Sequence, residues 1–187
     1  LRIALGITGA SGAVYARRLL ERLHPGGHTI HVTLTRYGNW VWKEELGLDF
    51  RDWMIERDWD GSHGGSRVVV DSIGDLNAQP SWGLEEFDAY LVVPCSVKTL
   101  SAIACGIADN LIVRFADVAL KERRPLVLLV RETPLHALHL ERMTELARAG
   151  AIILPASPGF YLKPKTIEDL VDFMVDKVLS YLPKRAG

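Results

Sequence analysis

Arg131 and Glu132 follow directly on the apolar run Leu126–Val130, and four further cations, Arg114, Lys121, Arg123 and Arg124, flank the apolar stretches before it. Cations gathered at the carboxyl end of a strand suit a phosphate, and an adjacent carboxyl group can manage a proton. Near the start, Thr8, Gly9, Ala10, Ser11 and Gly12 join a strand to a helix. Glycines there let the backbone approach an anion, the helix N-terminus adds partial positive charge, and the Ser11 hydroxyl can donate a hydrogen bond. Together the two segments point to an enzyme site for phosphorylated ligands.

Each candidate has a plainer reading beside it. Gly6, Gly9 and Gly12 do not form the GxGxxG dinucleotide fingerprint, and no GxxxxGK[ST] loop is present. The turn therefore favours a mononucleotide phosphate, or is only a tight strand-to-helix connection. Arg123 and Arg124 read as solvated cations at a helix end. His136 and His139 stand at i, i+3, a spacing able to hold a metal, but no third ligand accompanies them. Asp169 and Asp172 read as the solvated face of a C-terminal helix. Trp82 packs into the core or lines a pocket, and Cys95 and Cys105 read as small buried filler.

These residues need a scaffold, and the sequence describes one. Strands are expected at Arg2–Ile7, His28–Thr35, Arg67–Asp71, Asp88–Pro94, Leu126–Val130 and Ala151–Leu154. Helices are expected at Val14–Leu23, Tyr37–Leu46, Leu100–Cys105, Leu111–Lys121, Leu135–Ala149 and Ile167–Leu182, while Asp49–Gly65 gives the weakest signal and ends in a flexible GSHGGS loop. Alternation of this kind implies an α/β, Rossmann-like (flavodoxin-like), doubly wound and mostly parallel sheet with helices on both faces. In such folds ligands bind beyond the carboxyl ends of the strands, and TGASG, Thr35, Cys95-Ser96, Arg131-Glu132 and PASPGFY all follow expected strands. At 187 residues a single domain over 1–187 is expected. A net charge of −1 argues against a nucleic-acid coat. No apolar run is long enough for a membrane span, LRIALGI is too short for a secretory signal, and two cysteines without a framework suggest a reduced cytoplasm.

With those residues in place, the chain resembles the UbiX-type flavin prenyltransferases, within the wider family of homo-oligomeric flavin-containing cysteine decarboxylases. The resemblance rests on GITGASGAVYARRLLERL, on the stretch from PCSVKTLSAIACG through LKERRPLVLLVRETP to HLERM, on GAIILPASPGFYLKP and on TIEDLVDFMVDKVL. It implies a flavoprotein that binds FMN between subunits of a homo-oligomer, usually a dodecamer, and joins a dimethylallyl group from dimethylallyl phosphate to N5 and C6 of reduced FMN. The product, prenylated FMN, would serve a UbiD-type decarboxylase, and no metal would be needed. By the same resemblance Gly9, Ala10, Ser11, Thr35, Ser96, Thr99 and Arg114 would contact FMN. Lys121, Arg131, Glu132, Tyr161 and Lys177 would surround the donor phosphate, with Ser11 and Glu45 moving protons during ring closure.

Two departures from the family pattern bear on the donor. Trp82-Gly83-Leu84 stands where an SGS-type segment is usual, and Lys177 stands where an arginine is usual. Lysine keeps the charge and loses the bidentate fork. The alternative reading is therefore a non-prenylating FMN-binding relative that stores, delivers or otherwise uses flavin. An FMN-dependent cysteine decarboxylase is disfavoured, because Ser96-Val97-Lys98-Thr99 replaces that branch's SANT stretch.

Overall fold

The structure is a computed structural model and describes residues 1–57, 59, 65–83 and 87–184. Leu84 and residues 61–64 of the GSHGGS loop lie outside the described residues. Six strands form one wholly parallel sheet: β1 (Arg2–Ile7), β2 (Thr29–Leu34), β3 (Arg67–Val70), β4 (Ala89–Cys95), β5 (Leu126–Val130) and β6 (Ile152–Pro155), in the spatial order β3-β2-β1-β4-β5-β6. The chain winds outward from β1 to β3, crosses back to lay β4 against β1, and winds outward again. The order reverses between β1 and β4, where Gly6 is in register with Val92, and that reversal opens the crevice doubly wound sheets use for ligands.

Strand alternation sorts the apolar residues into two cores. Ile3, Leu5, Ile7, Ile30, Val32, Leu91 and Val93 face α1 (Ala13–Leu23), α2 (Arg36–Leu46), α3 (Phe50–Arg57) and α7 (Ile167–Leu179). Ala4, Tyr90, Val92, Leu126 and Leu128 face α4 (Val97–Ala104), α5 (Leu111–Lys121) and α6 (Ala137–Arg148). Because β1, β4 and β5 are covered on both sides, they read as near-continuous apolar runs.

Three expectations change. Residues 50–57, part of the weakest stretch, form α3, which anchors itself with only Phe50 and Trp53. Helix α4 begins three residues early, since Ser96 accepts a hydrogen bond from the Thr99 amide and caps it. The α7 helix stops at Leu179 rather than Leu182. Nor is its acidic row merely solvated. Asp169 closes a capping box with Thr166, and Asp172 accepts two hydrogen bonds from Arg18 on α1. Among the described residues no helix is long and apolar enough to cross a membrane.

Candidate active site

The turn after β1 is built from Thr8 outward. The buried Thr8 hydroxyl donates to the Pro94 carbonyl and accepts from the Ser96 amide, both at 2.8 Å, so it locks the ends of β1 and β4 together. Gly12 caps α1 at φ 111°, a left-handed conformation that a side chain would strain. Of the two readings of this turn, a phosphate site or a tight strand-to-helix connection, the second gains support: Glu45 of α2 occupies the α1 N-terminus, its carboxylate accepting from the Gly12 amide (2.9 and 3.1 Å) and the Ala13 amide (2.8 Å). A fixed carboxylate complements the helix dipole, and it takes the position an external anion would need.

Anion-binding character appears one strand further along the carboxyl edge. A cleft of about 210 Å³ is lined by Gly9, Thr35, Tyr37, Ser96, Lys98, Thr99, Asp109 and Asn110 among others. Three helix N-termini converge on it, because Thr35 caps α2, Ser96 caps α4 and Asn110 caps α5. Each cap side chain accepts from an amide of its own first turn, so the hydroxyls and amide are held in fixed orientations. The cleft thus joins four of the expected flavin contacts, Gly9, Thr35, Ser96 and Thr99, with a lysine and three positive helix ends. Arg114 is not among its lining residues; it pairs with Asp117 at 2.9 Å on the outer turn of α5.

Arg131 and Glu132 leave the carboxyl end of β5 beside this crevice. The Arg131 amide donates to the Cys95 carbonyl, and its Nε donates to the Ser11 carbonyl at 3.1 Å. The guanidinium is thereby fastened to the turn that carries Ala10 and Ser11. Glu132 is exposed and accepts from the Thr133 amide at 3.0 Å.

The other residues expected around the donor phosphate do not join them within one chain. Lys121 ends α5, which runs antiparallel to the strands, and so sits at the amino edge of the sheet. Arg123, Arg124 and Pro125 share a groove there, and Pro125 accepts from the Tyr90 amide at the start of β4. The whole of β5, roughly 16 Å at ~3.3 Å per residue, lies between Lys121 and Arg131. The expectation that these cations gather at one strand end is corrected: an intervening strand separates residues that are close in sequence. Trp82, half-exposed, belongs to the Lys121 side, since Gly83 abuts the Lys121 ammonium.

Tyr161 and Lys177 form a third group. They share a groove of about 540 Å³ along α7 with Phe173, against which Tyr161 packs edge-on (5.8 Å) and over which the Lys177 ammonium stands (5.8 Å). Cys95 is buried as expected, its thiol pushed up to about 12 by burial, whereas Cys105 is exposed at the end of α4 and is not core filler. His136 and His139 stack at the start of α6. Among the described residues no group of three or more His, Cys, Asp or Glu is arranged for a metal.

The Flavoprotein family matches residues 1–179. A flavin prenyltransferase UbiX from Halalkalibacterium halodurans is 43% identical over 178 residues, covering 95% of this chain and 86% of the relative. Among solved structures, AnUbiX (PadA1) in complex with FMN and dimethylallyl pyrophosphate superposes with a TM-score of 0.85 at 37% identity, covering 100% of this chain and 97% of the other. A dodecameric FMN-dependent UbiX-like decarboxylase from Escherichia coli O157:H7 gives 0.88 at 34% identity, with complete coverage of both chains. This chain belongs to the UbiX flavin prenyltransferase family.

In this UbiX-family chain, sequence reasoning passed over three residues of the carboxyl edge. Thr8 stands in the turn after β1, but its bridge to Ser96 depends on β1 and β4 being neighbours, which local sequence does not reveal. Lys98 lies inside SVKT with no pattern of its own to mark it, and it lines the cleft. Asn110 was the most legible omission, since an asparagine directly before Leu111-Ile112-Val113 is a helix N-cap signal.

Proposed function

We propose that the protein is a flavin prenyltransferase, joining the dimethylallyl group of dimethylallyl phosphate to N5 and C6 of reduced FMN and supplying prenylated FMN to a UbiD-type decarboxylase. The observation that carries this reading is the Arg131–Glu132 pair at the carboxyl end of β5, fastened through Arg131 to the Ser11 turn in a chain matched along its length by flavin prenyltransferases. A phosphate-handling pair beside a nucleotide crevice suits transfer between an allylic phosphate and a flavin better than storage of flavin alone.

The cleft lined by Gly9, Thr35, Ser96, Lys98 and Thr99 fits the phosphate end of FMN, because helix N-termini and an ammonium group favour a dianion. Ala10 and Ser11 carry the contact line toward Arg131, and Arg114 meets the flavin from outside the cleft. The donor phosphate is held by Lys121, Arg131, Tyr161 and Lys177. As the allylic C–O bond breaks, its electron pair passes to the phosphate, and these oriented groups stabilise the charge that builds there. One such preorganised donor is typically worth ~3 kcal/mol of barrier. Glu132 manages the phosphate proton; Ser11 and Glu45 carry the proton released on ring closure.

Lys121 and Arg131 can serve one phosphate only if copies of the chain share the site, the amino edge of one meeting the carboxyl edge of another. Exposed Tyr37, Trp40, Ile107, Leu138, Phe160 and Leu162 supply apolar surface for such contacts. A homo-oligomer, and by analogy with the E. coli relative a dodecamer, follows from the same need. We place its activity in the cytoplasm.

The test is anaerobic incubation of the purified protein with reduced FMN and dimethylallyl phosphate, then mass analysis of the extracted flavin. A gain of one prenyl unit is expected, and Glu132→Gln should retain FMN while slowing the gain by orders of magnitude. Tightly held but unmodified FMN would overturn the reading in favour of a non-prenylating flavin protein.

A further inference from the structure

Gly83 has no backbone reason to be glycine. Its φ lies outside the left-handed region, where Gly12, Gly27, Gly47, Gly65, Gly106 and Gly150 all sit. A side chain would therefore be conformationally allowed, and glycine costs chain entropy on folding without conformational return. What the missing Cβ does accommodate is specific. A Cβ at this position would lie 3.1 Å from the Lys121 ammonium and 3.0 Å from Glu122 Oε1, with Lys121 Cε at 3.5 Å. Lys121 Nζ and Glu122 Oε1 are themselves 3.6 Å apart. The bare backbone of Gly83 is thus packed against both ends of an ion pair.

We propose that Gly83 is a positioning residue for Lys121: its uncovered backbone forms a seat for the ammonium, with the Glu122 carboxylate beside it on the same flank, so that the cation is held where a donor phosphate meets it. The inference rests on the prenyltransferase reading for the identity of that phosphate, but the seat itself rests on the contacts at Gly83. Both side chains are about half-exposed, with 47% and 43% accessibility, so the ion pair alone holds Lys121 weakly. A backbone wall on one side removes rotamers that a free lysine would otherwise sample.

Gly83→Ala is the sharp test. The atoms it displaces are the far ends of flexible side chains, and its φ is ordinary, so the variant folds. Steady-state transfer on the assembled, FMN-loaded protein should show kcat/KM for dimethylallyl phosphate lowered about fivefold, less than the full loss of one charge-assisted hydrogen bond because the ammonium is shifted and not removed, with FMN affinity little changed. In a Lys121→Met background the same substitution should change nothing further, because there is no ammonium left to displace. Calorimetric titration of dimethylallyl phosphate into the four proteins reads the seat independently of turnover. Unchanged donor affinity in Gly83→Ala, or the same loss with and without Lys121, would overturn the proposal. A wild-type protein that binds dimethylallyl phosphate in this pattern yet transfers no prenyl group would refute the proposed function while leaving the seat standing.

Discussion

Replacing Glu45 separates a structural role from a chemical one. Its carboxylate accepts from two amides at the start of α1, with three N···O distances between 2.8 and 3.1 Å. Losing such a cap typically costs ~1 kcal/mol, and losing the favourable charge at a helix N-terminus adds ~0.3–1 kcal/mol. Since Glu45 is exposed, solvent screening holds the total near the lower end, so Glu45→Ala should cost about 1–1.5 kcal/mol. Glu45→Gln keeps a carbonyl acceptor and should cost only about 0.5 kcal/mol. For a chain of this size the alanine variant should melt about 2–6 °C lower at matched protein concentration. Amide hydrogen exchange is the decisive assay, because a loss of ~1.4 kcal/mol in the first turn of α1 speeds exchange there about tenfold. Unchanged exchange at Gly12 and Ala13 in Glu45→Ala would refute the capping assignment. If Glu45→Gln is nearly as stable as the wild type but fails in prenyl transfer, the carboxylate's proton chemistry is what the reaction needs.

Two further predictions read the fold rather than the site. The hydrogen bond from Arg18, joined by the nearby charges of Arg18 and Arg22, holds the Asp172 carboxyl below its ordinary range. A lowered carboxyl pKa contributes stability that is fully present above the ordinary carboxylate range of about 4 and is lost as pH falls through the lowered value. The stability gap between wild type and Asp172→Asn, measured by urea midpoints, should therefore be constant near neutrality and shrink below about pH 4; a gap that widens on acidification would overturn the α1–α7 clasp. For the cysteines, iodoacetamide at mildly alkaline pH should add one adduct to the folded protein, at Cys105, and a second at Cys95 only in denaturant. Two adducts on folded protein would contradict the burial of Cys95.

Much of the scaffold was legible because its signals are local. Arg2–Ile7, Leu126–Val130 and Leu111–Lys121 are observed at their expected limits, since the two strands are covered on both faces and α5 carries an unbroken apolar stripe from Asn110 onward. Helix α3 was obscured because Phe50 and Trp53 are its only buried residues among charged neighbours, too few to generate a helical period. Gly9, Thr35, Ser96 and Thr99 line one cleft for a topological reason: every parallel strand ends at the same edge, so residues after different strands meet there. The role of Glu45 was not legible as a cap, because its amide partners lie on another helix and sequence spacing carries no trace of that contact.

Lys121 shows where proximity in sequence misleads. A helix followed by a parallel strand reverses the chain, so residues on either side of β5 are delivered to opposite edges of the sheet. Cations that are close in sequence therefore stand at opposite edges of the sheet. On the proposed reading they come together only head to tail between copies, the Gly83–Lys121 seat of one chain against the Ser11–Arg131 turn of the next. Such a contact is heterologous: it pairs two different surfaces and leaves an open array with one of each unpaired at its ends, so a finite assembly fills every site only when a ring closes. Closure and catalysis then share a cause. A substitution that opens the ring, far from Arg131 and Glu132, should abolish prenyl transfer while the nucleotide cleft at Thr35 and Ser96, which one chain builds by itself, remains formed.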